Sequence, residues 1–171
     1  MNEMISKMNL EEIKKNAEFL INFLPDMEIP GMVKFRCKYK HMIKLAKCFG
    51  INDPIYIGPE ESGIIACPAF ANAFSAKLYI NMANIVFEQD GKKRGLVLDF
   101  KKLLHAGNEY DWEGCVKIKP GDILIIKGKI GKVWVNKEMR LFGEIFQTIR
   151  NQDGDLVCKV KSIATIAPGG Y

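Results

Sequence analysis

The sequence predicts an α+β domain in which an antiparallel sheet wraps around one long apolar helix. Three observations lead there. The stretch from Ala69 to Val86 is nearly all apolar or small, so a helix built from it has almost no solvated face and has to be enclosed. The second half of the chain alternates with period two in several runs separated by short turns, the pattern of an antiparallel meander. At 171 residues, 48% of them hydrophobic and 26% charged, the chain is long enough to bury one core without disulfides or metals.

Asn9 followed by Glu12 forms a capped start, after which Leu10, Ile13, Ala17, Leu20, Ile21 and Leu24 recur at helical spacing. Pro25 and Pro30 end that helix. It is expected to be amphipathic and laid on the outside of the domain. A helix lying on a membrane surface is the alternative, and Glu11, Glu12 and Glu18 weigh against it by offsetting the lysines. Residues 1–29 are therefore expected to form a helix and connector, and residues 30–171 a single domain.

Val33, Phe35 and Cys37 alternate with Lys34, Arg36 and Lys38 as a short half-buried strand. The period then becomes helical through Met42, Ile43, Leu45, Ala46 and Phe49 and stops at Gly50. An Asx-Pro loop, Asn52-Asp53-Pro54, leads to Pro68, which suits the first turn of the long helix because its missing N–H costs nothing there. Gly91 to Gly95 is expected to be an exposed loop. Strands are expected at 96–100, 109–113, 123–136, 140–150 and 155–167. The turn at Asn151-Gln152-Asp153-Gly154 carries the Asp-Gly hairpin signal. Gly128 and Gly131 inside a long strand suggest a bulge where the sheet curls.

Composition narrows the function. The net charge of +5 is modest and its lysines look scattered along the chain, without a nucleic-acid motif, so a nucleic-acid role is not indicated. A polyanionic ligand such as a phosphorylated cofactor explains the charge as well. Five cysteines, odd in number and without a Cys-x-x-Cys pair, argue against a disulfide framework and a zinc site. Four of them sit beside apolar neighbours and are expected to be buried thiols in a reducing compartment. The acidic N-terminal region does not fit a secretory signal, and Lys77 with two asparagines interrupts the longest apolar run. A cytoplasmic protein without a membrane span is the expectation.

A sheet curled around one long helix is the hot-dog architecture, and one copy of it leaves a sheet edge open, which favours side-by-side dimers. Four places carry a more particular resemblance: Leu45 to Tyr56, Gly63 to Phe70, Leu104 to Trp112, and Ile118 to Leu124 with Asn151 to Val157. In order and spacing they resemble the MaoC-like (R)-specific hydratases and dehydratases, above all the FAS1-type N-terminal dehydratase variant, over roughly residues 30–167. The resemblance implies a hydratase or dehydratase acting on an acyl-CoA or acyl carrier protein thioester, with no other cofactor.

One departure from that family changes the expectation. Active members carry Asp-x-Asn-Pro-x-His in the loop, a carboxylate and an imidazole that position and activate a water. Here the frame reads Ile51-Asn52-Asp53-Pro54-Ile55-Tyr56, with Ile51 at the acid position and Tyr56 at the histidine position. Isoleucine exchanges no proton, and tyrosine, with an ordinary pKa of about 10, is a poor base near neutrality. The resemblance then implies a subunit that shapes the acyl channel, beside a hot-dog partner holding Asp-x-Asn-Pro-x-His, in a homo- or heterodimer. An acyl-CoA-binding module without activity and a hot-dog thioesterase using Asp53 or Glu109 are the alternatives.

The candidate substrate-binding residues are Asn52, Asp53 and Tyr56 in the loop, Pro68 and Ala69 at the helix start, and His105 and Asn108 on the following strand; no catalytic residue is assigned. Each has a structural alternative. Asn52-Asp53-Pro54 is equally a turn held by Asx side chains and proline. His105 is equally a hydrogen-bonded core or interface histidine. His41 reads as a surface or capping group, and Trp112 and Trp134 as sheet-packing residues. Backbone N–H groups near Pro68 and Ala69 suit a thioester carbonyl without any particular side chain.

Overall fold

The computed structural model describes residues 9–171. Helix α1 (Leu10–Phe23) begins with a reciprocal capping box: Glu12 N–H donates to Asn9 Oδ1 at 2.9 Å and Asn9 N–H to Glu12 Oε2 at 3.1 Å. Its apolar face, Ile13, Ala17 and Leu20, is buried. Phe19 and Phe23 stack at 5.0 Å, each with Phe87 5.4 Å away. With that face occupied by its own domain, α1 has no apolar stripe to offer a membrane surface.

Strand β1 (Val33–Arg36) leads to α2 (Tyr39–Cys48) and the short α3 (Pro54–Ile57). A hairpin of β2 (Val86–Gln89) and β3 (Lys92–Gly95) follows the central segment, then β4 (Leu103–Asp111), β5 (Ile123–Val135), β6 (Leu141–Arg150) and β7 (Leu156–Ile166). β1 and β4 to β7 form one antiparallel sheet in the order β1-β5-β6-β7-β4. Its inner face carries Leu124, Ile126, Ile145, Ile149 and Val160, all buried against the central segment's Phe70, Phe74 and Leu78. The connector after α1 extends the β1 edge: Asp26 and Ile29 N–H donate to the Ile130 and Gly128 carbonyls at 2.8 Å each. This is the expected hot-dog arrangement.

Four elements depart from the sequence reading, one of them β4, expected at 109–113 and found at Leu103–Asp111. The central helix is not α but two 3-10 segments, Pro68–Ala73 and Ser75–Asn84, broken at Phe74. Their amides bond three residues back, as Phe70 to Cys67 and Lys77 to Phe74. Apolar spacing did not reveal this, because both helix types bring residues three and four apart onto one face. The expected strand at 96–100 is bent, irregular chain outside the sheet that runs into a 3-10 turn at Phe100–Lys102; Leu98 N–H donates to the Gly170 carbonyl. Lys92 to Gly95 is a hairpin strand rather than a loop, turned by Asp90 and Gly91, both at positive φ. Of the cysteines, Cys37, Cys67 and Cys158 are buried, and Cys48 is exposed.

Both glycines singled out in β5 serve packing. A Cβ on Gly128 would lie 2.6 Å from Leu78 Cδ2, so its absence lets the central segment approach the sheet. Gly131 lies in a register shift between Ile130 and Val133, where the Phe146 ring covers it.

Candidate functional site

The site is a seam between the central segment and edge strand β4. Along the central segment stand Pro68, Asn72, Ser75 and Tyr79. In the opposite direction stand Trp112, just past the end of β4, and Tyr110, Asn108 and His105 along the strand. A second register shift makes this row possible. Strict alternation would put His105 and Asn108 on opposite faces, but the irregularity between His105 and Gly107 adds one residue and returns Asn108 to the inner face. His105 pairs with Ala164 and Asn108 with Ser162, both inward-facing residues of β7.

A polar network fills the middle of the seam. Tyr110 Oη donates to Asn72 Oδ1 at 2.8 Å and accepts from Asn108 Nδ2 at 2.7 Å. Ser75 Oγ lies 3.3 Å from both Tyr110 Oη and Asn108 Nδ2. Ser162 Oγ donates to Asn108 Oδ1 at 2.8 Å and accepts from Gln147 Nε2 at 2.7 Å. Behind it, Gln147 Oε1 is buried without a hydrogen-bond partner among the described residues, and the Tyr79 hydroxyl is buried beside Ser162. Burial pushes the Tyr79 phenol up to about 12, so it stays protonated and remains a donor at any physiological pH. An unspent carbonyl oxygen in an apolar core is costly unless something meets it.

At one end of the seam a cleft is lined by Tyr56, Ile65, Ala66, Pro68, Trp112 and Val116. It holds about 630 Å³ of empty space including its open mouth, a size that admits a small-molecule group. Tyr56 is half-buried here, on α3. At the other end His105 is exposed, with its ring 5.8 Å from that of Tyr79.

The structure thus joins Tyr56 with Pro68 in the cleft, places Asn108 in the network and His105 at the far end of the same seam, and leaves the other loop candidates outside. Asp53 is exposed and its carboxylate accepts the Ile55 N–H at 3.0 Å, capping α3 ahead of Pro54, so it is occupied as the turn-forming reading expects. Asn52 is exposed beside it. Ile51 packs against the core. Ala69 contributes its carbonyl, which accepts from Asn72 Nδ2 at 3.0 Å. The anion-favouring helix start assumed for Pro68 and Ala69 is weakened, because a six-residue 3-10 segment sums few peptide dipoles. Among the described residues no group of His, Cys, Asp and Glu could hold a metal ion, and no helix is long and apolar enough to cross a membrane.

Asn72, Ser75, Tyr79, Tyr110, Gln147 and Ser162 were not singled out from the sequence. One signal was present: Asn72 and Ser75 are polar residues in a run otherwise built for burial, which in a core demands partners.

The curled sheet, the enclosed segment and the seam at an open edge define a hot-dog domain. The chain belongs to the family of the FAS1-like, dehydratase domain region, whose model matches residues 35–160. Among solved structures it resembles the MaoC-like dehydratase from Rhodospirillum rubrum, at TM-score 0.61 and 17% identity over 86% of this chain and 94% of that one. It also resembles the (R)-hydratase from A. caviae involved in PHA biosynthesis, at TM-score 0.60 and 11% identity over 86% and 98%. A third is the HadBC (3R-hydroxyacyl-ACP dehydratase) complex from Mycobacterium tuberculosis, at TM-score 0.61 and 14% identity over 85% and 99%. At these identities the likeness is one of fold. No curated protein matches the chain.

Proposed function

We propose that this chain is the subunit without the acid–base dyad in an (R)-specific 3-hydroxyacyl-thioester dehydratase or enoyl-thioester hydratase, where it shapes the acyl channel. The observation that carries the reading is the loop at the cleft: Tyr56 lines it, Ile51 is turned into the core, and the one carboxylate of the loop, Asp53, is spent as a cap. Hydration adds a water proton to the α-carbon and hydroxide to the β-carbon of the enoyl thioester, and elimination reverses both. Either direction needs a base on the water and an acid for the α-carbon. A hot-dog partner with Asp-x-Asn-Pro-x-His would supply them.

The edge of β4 supports a partner of that kind. Its nine residues have no strand beyond them among the described residues. Ile80 and Leu104, 67% and 50% exposed, leave apolar surface on the segments that form the seam. An unpaired edge with apolar flanks is a template for a second sheet. A thioesterase reading gains nothing from the geometry, since Asp53 is a cap and Glu109 is exposed on the sheet face away from the seam.

Co-expression with a hot-dog chain carrying the intact loop, followed by enoyl-CoA hydration assays over several chain lengths, tests the subunit role. Turnover by the pair that neither chain shows alone supports it. A partner that is fully active alone and unchanged by this chain overturns it. Binding of acyl-CoA without turnover, with the partner present, would favour the inactive binding module.

A further inference from the structure

The positive charge of this protein comes from one short stretch. Residues 31–52 contain Lys34, Arg36, Lys38, Lys40, Lys44 and Lys47 and no Asp or Glu, whereas the rest of the chain has 19 basic and 20 acidic residues. The expectation of scattered lysines is therefore corrected. Their alternating and helical spacing hides the cluster in the sequence, and folding gathers it on β1 and α2. All six are exposed. Among the described residues none of them makes a salt bridge, while Lys15, Lys129, Lys159 and Lys161 each do.

The α2 members form a row, with Lys40, Lys44 and Lys47 at i, i+4 and i+7 on one face. Beside the row, His41, Lys44 and Leu45 wall a groove floored by Phe35 and Phe70 and closed by Lys77. The Lys77 ammonium lies 5.7 Å from the centre of the Phe35 ring. The groove holds about 760 Å³ of empty space including its open side. At the end of α2, Phe49 is 58% exposed. An apolar floor behind a cationic rim selects an occupant that is both amphipathic and anionic.

Spacing decides what kind. Lys40, Lys44 and Lys47 are spaced along about 10 Å of the α2 axis, so they match a row of carboxylates on a facing helix better than a single phosphate head. A membrane surface fits less well, because Met42 and Ala46 of α2 face the core and the floor is recessed behind the lysines. Single-stranded nucleic acid also fits less well, since successive bases need a row of stacking rings, and the end of α2 offers Phe49 while Tyr39 is half-buried with its hydroxyl bonded to the Gly58 carbonyl.

We infer that this face docks the acidic helix of a small carrier protein, so that the acyl thioester arrives on a carrier protein rather than on CoA. The inference rests on the acyl-thioester reading above. It also places the delivery point: α2 ends at Cys48, and the loop that begins there runs through Asn52 to Tyr56 at the cleft.

The test is direct binding of the full chain, with its partner where one is needed, to the holo acyl carrier protein encoded in the same genome, by fluorescence anisotropy. The Lys40→Glu/Lys44→Glu/Lys47→Glu variant is expected to weaken binding at least about tenfold, and added salt to weaken the native complex. A control with the same charge change elsewhere, Lys93→Glu/Lys127→Glu/Lys137→Glu, is expected to change it less than about twofold. No binding, equal loss in both variants, or tighter binding to CoA, phosphatidylglycerol vesicles or single-stranded DNA through the same lysines overturns the inference. The two readings fail separately. Enoyl-CoA turnover without carrier binding ends this one and leaves the subunit role; carrier binding at α2 without turnover on either thioester does the reverse.

Discussion

Tyr110 and Asn72 stand on different elements, one on edge strand β4 and one on the central segment, and the phenol donates to the amide oxygen at 2.8 Å. The same phenol accepts from Asn108 at 2.7 Å, so one hydroxyl ties the edge of the sheet to the segment it encloses. Tyr110→Phe removes that tie while keeping the ring beside Trp112. The expected cost is about 1 kcal/mol in urea unfolding, since the half-buried Asn108 amide and the exposed Asn72 amide both lose a partner. Combining it with Asn72→Ala is expected to cost less than the sum of the single changes, because both cut one bond. Strict additivity would mean that the two residues act independently.

The packing of the central segment on β5 gives a second expectation. Gly128→Ala puts a methyl 2.6 Å from Leu78 Cδ2 and 3.0 Å from the Phe146 carbonyl oxygen. The leucine end can rotate, but a backbone carbonyl in a sheet yields little. A loss of about 1–3 kcal/mol is expected. Gly143→Ala, whose nearest neighbour is a Val133 methyl at 3.9 Å, is the comparison and is expected to cost clearly less. Equal losses would show that the cost is not this close approach.

Much of the fold was legible because it rests on periodicities that burial imposes. The capping box at Asn9 and Glu12, the meander from β5 to β7 and the bend at Gly131 all follow from local residue chemistry. The site was legible only in part, for one geometric reason. His105 and Asn108 share a face through a single extra residue, and no alternation rule shows where a bulge falls. The Asn72–Tyr110 pair is separated by 38 residues and depends on the β4-to-segment alignment. The basic face escaped for a related reason. Lys34 and Arg36 follow a strand period and Lys40, Lys44 and Lys47 a helix period, so no single periodicity contains them.

The loop separates a structural carboxylate from a catalytic one. Asp53 Oδ1 accepts the Ile55 N–H at 3.0 Å at the head of α3. Asp53→Ala is expected to lower stability by about 1 kcal/mol, the usual cost of a lost cap. Turnover by the partnered enzyme is expected to change less than about threefold, and Asp53→Asn, which keeps the cap, to change neither. Loss of activity with an unchanged unfolding midpoint in either variant would move Asp53 into the reaction and count against the subunit role.

Alkaline pH is expected to weaken the fold, and the sign follows from the buried thiols. Burial pushes Cys37 up from 9.0 to about 12, with Asp122 adding to it, and pushes Cys158 up to about 12 as well. Tyr79 and Tyr171 rise from 10.0 to about 12, again through burial. In every case the folded state holds its proton while the unfolded chain has released it. The native state therefore binds more protons above the unfolded values, and stability falls as pH rises. It is fully present below about pH 8.5 and falls by up to about 1.4 kcal/mol per pH unit for each thiol once the unfolded thiols ionise, with the tyrosines joining near pH 10. Urea midpoints measured between about pH 8 and about pH 10 read this slope. Cys37→Ala/Cys158→Ala is expected to be less stable throughout, but nearly flat until the tyrosines titrate. A slope unchanged by removing both thiols would assign the alkaline loss to other groups.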